Sequence, residues 1–408
     1  MSRRCRQRGA AMVLVMVGLV ALIAMVGLAI DVSHLGLNKA RLQSTVDAAA
    51  LAAAKVLDQT GVEDQATAAA MNVLGINAAA HPELDDAVTN GLTVTVEYSS
   101  TLQPFTPGTT PASYVRVRAA NFSMWVGFSA VVGVSNKSTS ASAVAGPSPT
   151  INTACNIAPM VVCGNPAAPA PYYGYEPNVL SVLKLASGNN PGPIGPGNFQ
   201  LIRLGGSGGS VVRENMAGSY NGCVEGEGNV ETQTGNLVGP VTQGLNTRFG
   251  VYVGGGISEA DYPPDVITAE PSPTLSYDSE TGVITQGGQT VTTGSEVNFN
   301  YQDYTARLNA ENYDNAPAPN GTGVPLRREL VIPIADCSGS NTGNSTIPVL
   351  GFGCYFLLQQ AEQHGTENYV YGQFVTSCNS GGMPGPDPTN IPGPYIIQLY
   401  DDVESNDS

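Results

Sequence analysis

Histidine is scarce in this chain, and charge is thin. Only three of 408 residues are histidine, and His364 alone falls in the half that carries most of the cysteines. With no C-x-x-C pair either, the sequence offers little from which to build a Cys/His metal centre. Charged side chains make up 12% of the sequence, while Gly, Pro, Asn, Thr and Ser are abundant, as in extracellular β proteins with long loops. The 42% of apolar residues exceeds what a disordered chain usually carries. Proline is absent up to residue 81, although the chain holds 29 of them, so the strongest helix breaker is missing from the first fifth of the sequence. Basic residues are few as well: 17 against 33 acidic ones, a net charge of −16. That balance argues against nucleic acid as a partner and against lying flat on anionic lipid. It suits a soluble surface that resists self-association.

What is present is concentrated at the N-terminus. Arg3, Arg4, Arg6 and Arg8 precede an uncharged run from Gly9 to Ile30, and Asp31 closes it. At about 1.5 Å per residue the run makes roughly 33 Å of helix, enough to cross a hydrocarbon core of about 30 Å. A cleavable secretory signal has an apolar region of only about 7–15 residues, so the run reads as a retained anchor. The arginines before the span and the aspartate after it predict a cytoplasmic segment over 1–8, a transmembrane anchor over 9–30, and everything beyond on the outside. With the four arginines set aside, 13 basic residues stand against 33 acidic ones, about −20 for the outer portion.

Cysteine usage follows the same topology. Cys5 lies on the inner side, whereas Cys155, Cys163, Cys223, Cys337, Cys354 and Cys378 fall outside and after residue 150. An even count in an oxidising compartment points to three disulfides, for which six cysteines allow fifteen pairings. The nearest pairs in sequence, Cys155 with Cys163 and Cys337 with Cys354, would close a small and a larger loop.

Up to residue 81 the chain reads as helix. Leu35, Leu42, Val46, Ala49, Ala53 and Leu57 continue the span as one stripe at helical spacing, with Gly36 its soft point and Gly61 its end. A second helix is predicted from Glu63 to Asn77, with acids in its first turn. The period then changes to two. Leu92–Tyr98 and Tyr114–Arg118 read as half-buried strands, Ser135–Val144 as a third, and apolar Met124–Val132 as a short buried helix. Gly146-Pro147-Ser148-Pro149 marks a boundary, so 31–146 reads as a helical stalk with a small α+β module. From residue 151 to 408, short apolar runs separated by Gly, Asn and Pro clusters predict a β-rich, disulfide-containing domain. Those runs include Val211-Val212, Phe249–Val253, Glu329–Ile334 and Tyr369–Val375. Asn189–Asn198 and Asn379–Pro394 read as irregular, and the last eight residues, which are acidic, as frayed.

The N-terminal block resembles the TadE/TadG-like proteins of Tad (Flp) pilus assembly. The resemblance rests on Arg8-Gly9-Ala10, the apolar span and Gly27-Leu28-Ala29-Ile30-Asp31. It continues through Asn38-Lys39-Ala40-Arg41-Leu42-Gln43 and Asp47-Ala48-Ala49-Ala50-Leu51-Ala52-Ala53-Ala54. It implies a bacterial inner-membrane protein that helps to build or anchor a pilus, with other pilus-assembly or pilin-like envelope proteins as partners and self-association left open. Pilin-like precursors carry Glu five residues after the cleavage glycine. Here Leu14 holds that place, which favours a retained anchor over a polymerised subunit. The alanine-rich face after Asp47 would let neighbouring helices approach closely.

Asp31-Val32-Ser33 begins like the metal motif of a von Willebrand A domain but lacks its last serine. Gly205-Gly206-Ser207-Gly208-Gly209 satisfies G-x-S-x-G, yet the residues after it, Ser210–Arg213, read as strand, and a nucleophile elbow needs a helix and a histidine partner. Glu225, Glu227 and Glu231, alternating with glycines beside Cys223, are the weak Ca²⁺ candidate, with a solvent-facing acidic turn as the default. Tyr172, Tyr173 and Tyr175 suit either packing or a binding surface. No cofactor is expected, and the reading is of a non-enzymatic envelope component. A surface adhesin is the competing class, and a hydrolase ranks third.

Overall fold

The computed structural model describes residues 8–124, 128, 137–149, 151–184, 198–339, 343–362, 368–384, 393–403 and 405. Arg3, Arg4, Arg6, most of the 124–132 segment and nearly all of Asn189–Asn198 lie outside these residues, as does His364. By their contacts the described residues fall into two units. Unit 1 comprises residues up to Gly146 together with Gln398 onward, and unit 2 runs from Pro147 to Ile397.

Unit 1 begins with one unbroken helix, α1 (Arg8–Thr60), followed by α2 (Glu63–Ala79) and α3 (Pro82–Asn90). Gly61, at φ 66°, ends α1 in the left-handed conformation that glycine accepts without cost. Three strands follow: β1 (Thr93–Ser99), β2 (Tyr114–Met124) and β3 (Lys137–Pro147). β2 pairs antiparallel with both neighbours, with a bulge between Ala119 and Phe122. The stripe Leu42, Val46, Ala49, Ala50, Ala53, Ala54 and Leu57 is buried, as are Ala66, Ala70, Leu74 and Ala78 of α2 and Val115, Val117 and Ala119 of β2. The alanine face of α1 is therefore occupied within the chain, and the expected partner helix is the protein's own α2. Small side chains on both helices permit the close approach that this packing needs.

The fourth strand of this sheet arrives from far along the chain. β19 (Ile397–Tyr400) lies beside β3, completing the order β1-β2-β3-β19. It delivers Asp402, which is 2% exposed. Arg116 Nε donates to Glu97 Oε2 at 2.8 Å, Arg116 Nη1 lies 3.6 Å from Asp402 Oδ1, and Ser142 Oγ donates to Asp402 Oδ2. Arg118 Nε stands 3.7 Å from the same carboxylate. A buried charge persists only when it is paired and hydrogen-bonded, and these contacts supply both. The acidic end read as frayed thus contributes a buried anchor, and residues 398–408 belong with unit 1 rather than with the β-rich region.

Unit 2 is β-rich. In chain order its first strands are β4 (Ile151–Ile157), β5 (Val162–Gly164), β6 (Leu180–Lys184) and β7 (Asn198–Arg203). Helix α4 (Gly209–Gly218), strands β8 (Tyr220–Glu225) and β9 (Asn229–Thr234) and helix α5 (Val238–Asn246) follow. The small ribbon β10 (Leu275–Asp278), β11 (Val283–Gln286) and β12 (Gln289–Thr290) precedes α6 (Tyr301–Asn309). Then come β13 (Glu329–Asp336), β14 (Thr346–Leu357), β15 (Val370–Val375), β16 (Cys378–Asn379), β17 (Gly381–Pro384) and β18 (Pro394–Tyr395). The main sheet runs β17-β4-β13-β14-β15-β6.

Both faces of this sheet are covered, which is why its central strands are almost continuously apolar. Along β13, Leu330, Ile332 and Ile334 join one core cluster with Val212, Met216, Val241 and Leu245 of α4 and α5. Val331 and Ala335 join another, with Val266, Ile267, Leu275 and Tyr304. The alternation follows from the period of two in a strand. Three expectations are corrected here. Ser210–Arg213 is helix, because the apolar pair Val211-Val212 precedes Met216 at helical spacing and packs on the sheet. Phe249–Val253 is not a strand, since Thr247–Phe249 turns as a 3-10 helix closed by Gly250 at φ 77°. Gly381–Pro384, read as irregular, pairs with β4.

The disulfides are Cys155–Cys223, Cys163–Cys337 and Cys354–Cys378. Neither sequence-adjacent pairing forms, because strand register decides: Cys155 sits directly opposite Cys223, and Cys163 opposite Ala335, two residues before Cys337.

Lys184, at the end of β6, is fully buried and donates to Asn236 Oδ1 at 2.9 Å. Burial lowers its pKa to about 7. The unfolded chain holds that proton up to about pH 10.4, so between pH 7 and 10 the unfolded state binds more protons and folding gains stability as pH rises. Thermal melts should show unit 2 more stable at pH 9 than at pH 7. Lys184→Met should raise the melting temperature at pH 7 and flatten that slope; an unchanged slope would refute the assignment.

Candidate functional site

The longest apolar surface in the molecule belongs to α1. Its most apolar 18-residue window has a mean hydropathy of 3.0, and only 6% of it is buried. Met12 to Val26 all face outward, except that Gly18 and the alanines offer little side chain. By length and composition this helix can cross a membrane.

Burial begins inside the apolar run and then follows one face. Gly27 and Asp31 are buried, His34 and Leu35 are half-buried, and Asn38, Leu42, Thr45 and Val46 are buried. These positions are three or four apart, so the apolar span and the packed stripe belong to one continuous helix. Just past Asp31, two polar side chains on this face meet α3, and a third supports them. His34 Nε2 lies 2.8 Å from Glu83 Oε1, Asn38 Nδ2 donates to Glu83 Oε2 at 2.6 Å, and Arg41 Nη1 donates to Asn38 Oδ1 at 3.4 Å. Pro82 at the start of α3 fixes where Glu83 emerges, and a carboxylate in the first turn is favoured by the helix dipole. Next to this cluster an open cleft of about 280 Å³ is lined by Ala40, Arg41, Ser44, Thr45, Asn77, Ala80 and His81. Its lining is polar and small, without a convergent catalytic set. The sequence hinted at neither the cluster nor α3, because Glu83 is one of three acids in a nine-residue helix of low hydrophobicity.

The other candidates resolve individually. Asp31 and Ser33 lie within α1, where Ser33 Oγ donates back to Ala29 O at 2.8 Å, so no metal loop forms there. Ser207 does sit in a strand–turn–helix, between β7 and α4, with Gly205, Gly206 and Gly208 at positive φ. The helix that a nucleophile elbow needs is therefore present, contrary to the sequence reading, but no described residue of unit 2 is a histidine. Glu225 closes β8, Glu227 stands in the turn and Glu231 lies in β9; all three are exposed, and Glu231 pairs with Arg203 at 3.7 Å. Among the described residues no three His, Cys, Asp or Glu side chains gather to hold a metal ion. Tyr172 and Tyr175 pack on Phe374, and Tyr175 also donates to Cys163 O at 2.9 Å, while Tyr173 joins the same core cluster. The tyrosine group is structural.

Comparison with known proteins finds a match for the N-terminal segment. Residues 9–56 match the Tad family model, Putative Flp pilus-assembly TadE/G-like. The match begins at the first residue of the apolar run and ends four residues before α1 does, so it covers the exposed span and the packed stripe together. No curated protein and no solved structure matches the chain.

Proposed function

We propose, from this Tad-type segment, that the chain is a membrane-anchored envelope component of Tad (Flp) pilus biogenesis. α1 holds it in the inner membrane as a single span with the N-terminus inside. Units 1 and 2 lie outside, and unit 2 presents a surface to other pilus-assembly or pilin-like proteins. The observation that carries this reading is that the family block coincides with one helix, exposed and apolar in its first half and packed into unit 1 in its second. Such a helix couples an anchor rigidly to a folded base. Three disulfides in unit 2 support an oxidising, extracytoplasmic setting.

Deletion of the gene, with surface pili counted by electron microscopy beside a complemented strain, tests the proposal. Loss of pili, restored by complementation, is the expected result. Normal pili with lost attachment would shift the assignment to an adhesin, and normal pili with normal attachment would refute both.

A further inference from the structure

Gly27 breaks the pattern of the apolar span. Met12 to Val26 are exposed, but Gly27 is buried, and what covers it is Phe128, which lies between β2 and β3 in the chain. A Cβ built on Gly27 would stand 2.6 Å from Phe128 Cγ, so only glycine admits the ring at this distance. Gly27 lies four residues before Asp31, about 6 Å further into the span. Phe128 is nonetheless 49% exposed, although its ring lies against Gly27 of α1. An aromatic ring left open in water beside a membrane helix loses the burial that a ring normally gains.

We propose that Phe128 is a second point of membrane contact, seated beside the Asp31 end of the span with its exposed part among lipid acyl chains. The inference rests on the anchor reading of α1, whose outward surface it extends. The sequence around the ring agrees. From Ala119 to Asn136 there is no charged residue, and Trp125, Val126, Val131 and Val132 flank Phe128. Charged groups resist entry into hydrocarbon, whereas aromatic side chains concentrate at the membrane boundary. The consequence is mechanical: unit 1 meets the bilayer at the helix and at a point beside it, which resists tilting about a single rod.

Trp125 is the only tryptophan in the chain and lies three residues from Phe128, within about 11 Å along the backbone. Its fluorescence therefore reports on this place alone. The full chain would be reconstituted in phosphatidylcholine vesicles, with or without lipid brominated near the carboxyl end of its acyl chains. Brominated lipid should quench Trp125 at least twofold while aqueous acrylamide quenches it weakly, and Phe128→Asp should reverse the two. Moving the reporter, by Trp125→Phe with Phe128→Trp, should strengthen quenching by the brominated lipid. If the protein resists alkaline carbonate extraction from the vesicles but Trp125 answers only to acrylamide, the anchor stands and the second contact is refuted. Release by carbonate would overturn the anchor reading and this inference with it.

Discussion

Arg328→Met should destabilise unit 2 by about 3–5 kcal/mol, because several buried carbonyls would lose their donor at about 1–3 kcal/mol each. For a unit of this size, that lowers the melting temperature by roughly 10–15 °C. Arg328 is fully buried at the entry to β13. Its guanidinium donates to four carbonyls, those of Leu357, Ile267, Ala269 and Leu358, at 2.8–3.2 Å. It also lies 4.5 Å from the centre of the Phe356 ring and 4.6 Å from that of Phe249. Its counter-charge, Asp265, is equally buried and accepts from Ile267 N, Tyr304 Oη and Arg328 N. Removing the guanidinium therefore takes the donor from four carbonyls and a nearby positive charge from the Asp265 carboxylate.

The pH dependence of that loss has a definite sign. Burial raises the pKa of Asp265 to about 6. An acid whose folded pKa lies above its unfolded value binds more protons when folded, so stability falls as pH rises from about 4 toward 6. Without Arg328 the folded pKa rises further. The damage in Arg328→Met should accordingly be greater at pH 8 than at pH 5, and Asp265→Asn added to it should recover part of the loss at pH 8. Urea titrations of the four variants at both pH values form the cycle that checks this. Equal damage at both pH values would show that packing, not charge, is what Arg328 supplies.

The second large effect concerns Cys163–Cys337, which spans 174 residues. Loop-closure entropy assigns such a link about 5 kcal/mol, against about 3.5 kcal/mol for Cys354–Cys378 with its separation of 24. The Cys163→Ser/Cys337→Ser pair should shift the urea midpoint of unit 2 more than Cys354→Ser/Cys378→Ser does. The reverse order would mean that local strand pairing, not chain closure, governs the stabilisation. The position of Cys163 gives the longer link further leverage: β5 pairs in parallel with β13 over only three residues, and the disulfide fastens that short pairing.

The parts legible in the sequence are those whose physics is local. The span needs only length and apolarity, and α1, α2, β1 and β2 declare themselves by period. The strand-like runs at Glu329 and Tyr369 hold because a strand covered on both faces must be apolar almost throughout. What escaped depends on distant residues. Val211-Val212 looks like strand until Met216 and the sheet beneath are considered. Cysteine partners follow register between strands that are up to 174 residues apart. Arg328 drew no reading from the sequence, because nothing nearby in the chain foretells the four carbonyls and four aromatic rings around it. The base of α1 was half legible: its stripe was visible, but Glu83 and Phe128, which pack onto it, come from later in the chain.

The placement of β19 has a consequence for the order in which the protein is made. Strand β3 leaves unit 1 at Pro147, and β19, its neighbour in the sheet, re-enters at Ile397. Unit 2 is thus spliced into unit 1 as an insert, with its departure and return side by side. A ribosome emits β19 only after the whole insert, so Arg116 waits for Asp402 through the synthesis of some 250 residues. Unit 1 is the first to emerge and the last to close. A chain interrupted anywhere within the insert leaves Arg116 with Glu97 as its one carboxylate among these, which marks an unfinished molecule.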